Sequence, residues 1–537
     1  MTQQARTNKY WEGRAARRMV DYQRGADSTI GLISQAYDKS IRDIEQEVRQ
    51  IFNKFATDGK PSPDQARKLL NTPISRKDWD ALKSQVTRIQ DPAIRRQVLN
   101  QLNAPAYAAR ITRLEALKAN NLIQARLIAD AEIRLSTRGY IGTINEAYYR
   151  NMFDIQKGLG FRFDFAAVPT RVVEQILKNP WSGKSFSARV WGNTEVLADK
   201  LNETLTAGFM SGAGVKKMVQ DIQELSQVGK HAATRLVRTE VTYMANAAEM
   251  ESYEEAEIER YQFLATLDMR TSDICQEHDG KIFPVKDGVP GKNMPPLHPY
   301  CRSTTIAYFG PDVMKNIQRR ARDPVTGKNE LVPGDMTYKE WRKGLDEKHG
   351  KNQVDIMEKK IRNKTADKKQ HTRYKEVLGR EAPRSFAVFQ DMKYTGGEAW
   401  EDLKGFYSYK NNYPDGTKSS YLIGKDLKSL GIAQGVPLPP SPKQAFILPD
   451  PKSKDPYHIM NRMLERQITD DQVREFMNDA KIMFTQWGGR RQAFYGPKGV
   501  SVIVQRDDNW LFKTAWSKVD FDAETESIME VVNKHVK

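Results

Sequence analysis

The two cysteines of this 537-residue chain stand in mirror-image pairs with two of its seven histidines, Cys275-Gln-Glu-His278 and His298-Pro-Tyr-Cys301. Two soft ligands two residues apart can converge on one ion, and the loop between the pairs lets them face each other, as a tetrahedral zinc site requires. Four protein ligands leave no position open for water, so the predicted zinc is structural. Its binding energy would fold a loop too short and polar to bury a core. The alternative is a reduced cysteine pair beside unrelated histidines. A disulfide between Cys275 and Cys301 would need an oxidising step, which a cytoplasmic origin disfavours.

A second group of chemistry-bearing residues lies near the C-terminus. His458, Arg462 and Arg466 are spaced i, i+4, i+8, which puts all three on nearly one face of a helix. After a hairpin rich in Lys and Gly come Lys513 and Thr514 on a strand. A histidine with several cations and a hydroxyl suits metal-independent RNA cleavage. The imidazole moves a proton from the ribose 2′-hydroxyl or to the leaving oxygen. Arg and Lys hold the phosphate and stabilise its extra charge in the transition state. Tyr495 and Lys498 are weaker candidates, because Gly496-Pro497-Lys498-Gly499 is equally well a plain hairpin turn. The bland alternative has His458 packing the helix start and the arginines forming a solvated face. No acidic cluster is seen beside these residues in sequence, so two-metal nuclease chemistry is not expected.

The rest of the chain must position these groups. Its length suggests two to four domains. A hydrophobic content of 39% with 28% charged residues fits soluble globular domains joined by solvated helices. No apolar run approaches the length of a membrane span, and the N-terminus carries no secretory signal, so a host cytoplasm is the expected place of synthesis. The net charge of +17 favours a polyanionic partner such as nucleic acid, although acidic protein surfaces would serve as well.

The expected fold class is multidomain: mostly α-helical N-terminal and head domains with a small zinc-stabilised loop region, then a basic linker and a C-terminal α+β module. Residues 1–150 read as helical. Ile30, Ile33, Tyr37, Ile41, Ile44, Val48, Ile51, Phe52 and Phe55 form one stripe. Ile111, Leu114, Leu117, Ile123, Leu127 and Ile128 form another, with breaks near Asp58–Pro61 and Asn103–Pro105. Residues 151–310 continue the helical pattern and then change to the β-like run Tyr261–Thr266 and the metal loop. Residues 311–383 read as a basic linker with short helices; within 311–380, 19 Lys and Arg stand against 11 Asp and Glu. Residues 384–440, with Trp400, Phe406 and Tyr407, read as a packed small domain without a functional reading, or as the first half of the terminal module. A Pro-rich break, Gly435–Pro442, precedes the 441–537 module. That module reads helix from His458, a second helix capped by Thr469, strands, and a closing helix near Glu524–Lys534.

Three segments in order resemble the phage Mu F-like minor head protein family across roughly residues 150–310. They are Ser187–Thr194, Thr234–Glu240, and the loop Arg270-Thr-Ser-Asp-Ile-Cys275, Asp279-Gly280-Lys281, Pro295-Pro296-Leu297-His298-Pro299-Tyr300-Cys301-Arg302. The chain departs from the family pattern at His278, often cysteine there, and at Ser303, where another cysteine often stands. The first keeps a zinc ligand, and the second removes one that the four-ligand site does not need. The resemblance implies a portal-associated virion component inside the head, with a role in head morphogenesis or DNA delivery. Its implied partners are the phage portal protein, the capsid or scaffold, and packaged DNA. The helical N-terminal region is then the expected portal-contacting part, and Arg238 and Glu240 read as structural.

Residues 455–537 are similar to barnase/EndoU/colicin/RelE-type phage nuclease domains. That resemblance implies an effector carried behind the head domain, with an RNA substrate and an immunity protein as partners. His458 is then the acid/base, Arg462, Arg466 and Lys513 bind phosphate, and Thr514 contacts it. The alternative is a purely structural or DNA-contacting head protein whose C-terminal module is inactive.

Overall fold

The computed structural model describes residues 14–53, 62–103, 111–159, 168–311, 318–432 and 444–536. The expected breaks at Asp58–Pro61 and Gly435–Pro442, and Phe55 of the first stripe, lie outside the described residues. The chain divides into two compact units, Met1–Met357 and Glu358–Lys537.

Four long helices build the first unit: α1 (Arg14–Asn53), α2 (Arg113–Leu159), α3 (Phe186–Met210) and α4 (Val215–Glu255). Helices α1, α2 and α4 pack on one another, and α3 lies against α2 and α4. The stripe read from the sequence is the buried face of α1: Ile33, Tyr37, Ile41, Ile44, Val48, Ile51 and Phe52 are all in the core. Helix α3 ends where Gly212 takes φ +69°, a left-handed turn that costs glycine little. Ala213 N–H then closes back on Gly208 O at 2.9 Å.

Several buried positions on these helices are polar. Arg18 donates to Asn151 Oδ1 at 2.8 Å and stands 3.7 Å from Glu249. Tyr37 donates to Glu132 at 3.4 Å. Arg238 pairs with Asp27 and Gln23 of α1, while Glu240 accepts from Trp181 Nε1 at 3.1 Å and lies 4.0 Å from Arg189. Both residues therefore serve packing of the helical bundle, but not as partners of each other.

A three-stranded antiparallel sheet of order β2-β1-β3 follows α4: β1 (Arg260–Leu264), β2 (Ile282–Pro284) and β3 (Thr304–Ala307). Tyr261 is paired with Phe283 on one side and Ala307 on the other. The stretch read as a basic linker holds a β-hairpin, β4 (Gln318–Arg322) with β5 (Asn329–Pro333), and helices Tyr338–His349, Lys351–Arg362 and Lys364–Leu378. The hairpin is stitched to the loop after β1 by a Leu267–Ala321 bridge. The helix Tyr338–His349 starts with a capping box on Thr337 and Glu340 and buries Trp341 and Leu345.

In the second unit, Tyr374, Phe389, Trp400 and Tyr407 form an aromatic core, with Tyr374 and Tyr407 stacked at 4.1 Å between ring centroids. The helix Lys418–Ser429 packs Ile423 and Leu427 with Ile528 and Val532 of the closing helix Ala523–His535. Asp426 is ion-paired with Lys534 at 2.9 Å and His535 at 2.7 Å. Part of 384–440 is thus continuous with the terminal module. That module is a four-stranded antiparallel meander: β6 (Ile482–Gln486), β7 (Arg491–Tyr495), β8 (Gly499–Arg506) and β9 (Asn509–Ser517). Helices His458–Glu465 and Asp470–Asn478 cover it, the second opening with a Thr469–Gln472 capping box. Among the described residues no helix is long and apolar enough to cross a membrane.

Candidate functional site

The first candidate centre is built by the two turns that flank the three-stranded sheet. Cys275 sits in the short helix Asp273–His278, which begins at Ser272. His298 and Cys301 are joined by a tight turn in which Cys301 N–H donates to His298 O at 3.2 Å and Tyr300 adopts φ +60°. That turn is held to α4, because Tyr300 N–H donates to Thr239 Oγ1 at 3.1 Å and Thr242 Oγ1 donates to Cys301 O at 2.7 Å. The resembling segment around Thr239 is therefore the platform on which the second ligand pair rests.

Cys275, His298 and Cys301 bring their ligand atoms within 4.8 Å of one another. The two sulfurs are 3.6 Å apart, and Cys275 Sγ is 3.2 Å from His298 Nε2. Two thiolates on a tetrahedral zinc at about 2.3 Å each would stand roughly 3.8 Å apart, so the observed spacing fits an ion and not a disulfide. His298 Nδ1 is 2.7 Å from Pro299 O, which turns Nε2 toward the sulfurs in the tautomer a ligating imidazole needs. The hydrogen bond from Cys275 holds the Cys301 thiol well below its usual range despite burial. The same bond, with burial, pushes Cys275 up. The neighbouring Cys301 sulfur raises the His298 pKa. This donor set fits a thiophilic cation such as zinc.

The fourth predicted ligand is placed differently. His278 is not in the cluster; its ring lies beside Phe263 and Phe283, and its Nδ1 is 2.8 Å from Ile274 O. The short helix carries Cys275 and His278 three positions apart, nearly one turn, yet packing against the two phenylalanines draws the imidazole away. Ser303 is buried two residues beyond Cys301, and its backbone N–H helps hold the Cys301 thiol low. Position 303 therefore adjoins the donors more closely than position 278.

The second candidate centre is in the terminal module. His458 Nδ1 lies 3.4 Å from Asp455 Oδ2, and its side chain is 30% exposed. Lys513 donates to Ser453 Oγ and stands 3.8 Å from Asp450. One loop, 450–457, therefore carries the partners of both His458 and Lys513. The register of β8 and β9 shifts between Val502, opposite Thr514, and Ile503, opposite Phe512, which makes Lys513 the extra residue of a bulge. Such bulges re-aim a side chain out of the ladder.

Arg462 pairs with Glu465 at 2.7 Å, and Lys498 pairs with Glu475 at 2.7 Å and Asp479 at 3.2 Å. Arg466 caps the end of its helix, donates to Ala515 O at 2.6 Å and lies over the Trp516 ring, so it ties the helix to β9. Tyr495 packs between Phe484 and Trp516. The sequence shows no acidic cluster beside this set, and the fold brings single carboxylates to its members. Asp450 is buried, accepts from Arg506 Nε at 2.8 Å and Nη2 at 2.9 Å, and is held below the usual carboxylate range chiefly by that guanidinium. No local signal marks Asp450, because Asp450-Pro451 reads as any turn. Among the described residues these carboxylates do not gather into a metal-holding group.

Residues 199–306 match the family model described as Phage Mu protein F like protein. Among curated proteins, NAD(+)--arginine ADP-ribosyltransferase EFV of Enterococcus faecalis (strain ATCC 700802 / V583) is 22% identical over 156 residues, 28% of this chain and 32% of that relative. The chain thus spans about a third of the length of the relative. No solved structure matches. The matched segment contains Cys275, His298 and Cys301 together with the α4 platform beneath them, and it supports the likeness to phage Mu F-type proteins.

Proposed function

We propose that this chain is a minor head protein of a tailed bacteriophage, resident in the virion near the portal. The observation that carries the reading is the coincidence of the Cys275–His298–Cys301 cluster with the segment that matches the Mu F-like model. In this reading a zinc ion staples the loop 265–303 onto α4 and gives the head domain a rigid face for portal or capsid. The long α1 and α2 helices offer the contact surface for assembly, and the basic balance suits packaged DNA.

The terminal module is proposed as a metal-independent ribonuclease. His458, oriented by Asp455, moves the proton; Lys513 and Arg462 hold phosphate, Thr514 contacts it, and Arg466 fixes the helix to the strand. What supports this is the shared loop that serves both His458 and Lys513, together with the bulge at Lys513. A relative named as an enzyme that shares only a 156-residue segment with this chain fits a common segment carried beside different modules. An immunity partner of acidic character would then cover the cationic face. The competing reading, an inactive module that touches DNA, draws on the carboxylate partners that Arg462, Lys498 and Lys513 already have.

Mass spectrometry of density-banded phage particles from the source strain tests the head assignment. Peptides from both units co-banding with the major capsid protein are expected. Their confinement to the soluble lysate would refute it.

A further inference from the structure

Beside the metal loop, the first unit contains a cleft of about 470 Å³ bounded by the start of α1, the β1–β3 pair, the loop after β1 and strand β4. Its volume lies in the range of small-ligand sites. The lining is divided chemically. Met19, Val20, Leu264 and Ile306 supply an apolar wall, on which Val20 is 47% exposed.

The opposite side is cationic. Arg270 and Arg302, the two arginines flanking the cysteines in the loop motif, both line the cleft, as do Arg320 and Arg322 of β4. The acidic residues in the lining are already engaged. Asp27 pairs with Arg238, and Asp268 accepts both nitrogens of Arg302 at 2.6 and 2.8 Å while also lying 3.6 Å from Arg270. Arg320 and Arg322 are exposed, and no carboxylate within ion-pair distance of either is found among the described residues. The cleft therefore holds more positive charge than its own acids neutralise.

We infer that this cleft binds the phosphates of a nucleotide, with the base on the apolar wall. Arg320 and Arg322 are two residues apart on one strand, about 7 Å between Cα atoms, so their guanidiniums can grip separate phosphoryl oxygens. A lone carboxylate would satisfy one such fork and leave the others uncompensated. The same chemistry is presented by a free nucleoside triphosphate and by the phosphorylated end of a nucleic-acid strand. The inference does not depend on the head-protein reading.

The test is calorimetric titration of the full chain at about 50 mM salt with ATP and, separately, with a 5′-phosphorylated oligothymidylate. It is repeated on Arg320→Ala/Arg322→Ala and on a charge-matched control, Arg96→Ala/Lys216→Ala, at exposed sites outside the cleft. Saturable binding of at least one probe is expected, weakened roughly tenfold or more in the cleft variant alone. Binding of ATP identifies a free nucleotide, and binding of the oligonucleotide alone identifies a strand end. Circular dichroism checks that the cleft variant stays folded, as two exposed strand positions should allow. Binding of neither probe, or equal weakening in both variants, overturns the inference.

Discussion

Asp279 and Arg319 form a buried two-point ion pair, Nη2 to Oδ1 at 2.9 Å and Nη1 to Oδ2 at 3.0 Å. The same carboxylate accepts from Ala265 N–H and from Tyr338 N–H, both at 2.7 Å. Asp279 therefore joins three elements: the sheet beside the metal loop, the β4 strand, and the N-terminus of the helix Tyr338–His349, where a negative charge is favoured. The Asp279-Gly280 step of the motif has a structural cause. Its glycine takes φ +81°, and its aspartate anchors the next element of the fold.

Replacing Asp279 with Ala leaves the Arg319 guanidinium buried without its partner. The expected cost is about 3–5 kcal/mol, because an uncompensated buried charge outweighs the small net value of the pair itself. Urea unfolding followed by circular dichroism reads it. A loss below about 1 kcal/mol would place the pair among solvent-screened contacts instead.

The carboxyl of Glu132 sits between α1 and α2, and burial pushes its pKa up to about 7, with the Tyr37 hydroxyl opposing slightly. The fold prefers the protonated form, so its stabilising contribution is complete below about pH 4.5 and is lost as pH rises through 7. Glu132→Gln should remove this dependence. The variant is expected to gain on the parent by about 3 kcal/mol at pH 8 and by nothing at pH 4.5. Thermal melts of both proteins across that range check it, and parallel curves would contradict the assignment.

In the terminal module, His458→Ala should slow RNA cleavage roughly 10²–10⁴-fold in divalent-free buffer, the range of a lost general acid or base. Gel analysis of total cellular RNA reads it; no cleavage by the parent, or equal cleavage by both, removes the catalytic reading.

Arg466→Ala should act differently. It breaks the bond to Ala515 O and the contact with Trp516 and is expected to cost about 1–2 kcal/mol of stability. A melt and a cleavage assay on the same sample separate the two effects: an unchanged melting temperature with lost cleavage would return Arg466 to phosphate binding.

Local patterns made much of this legible. The α1 stripe, the Thr469 cap and the closing helix are local, and periodicity or capping chemistry reports them. The His298–Cys301 spacing is local too, whereas Cys275, 23 residues from His298, reaches the pair only through the fold. What was not legible depends on contacts between distant segments. His278 has ligand spacing, but Phe263 and Phe283, from two strands, claim its ring. Residues 318–378 look like a linker because their charge hides Arg319, Trp341 and Leu345, which are buried only once the hairpin meets the metal loop. Asp450 gains meaning only when Arg506 and Lys513 arrive from the far strands.

The most direct measurement is the metal content of the full chain, purified without added metal, by plasma mass spectrometry beside a melt with and without a chelator. One zinc per chain is predicted, lost in Cys275→Ser, Cys301→Ser and His298→Ala, largely kept in His278→Ala, and accompanied by a fall in melting temperature on chelation. A metal-free parent with a melting temperature indifferent to chelator would contradict the account.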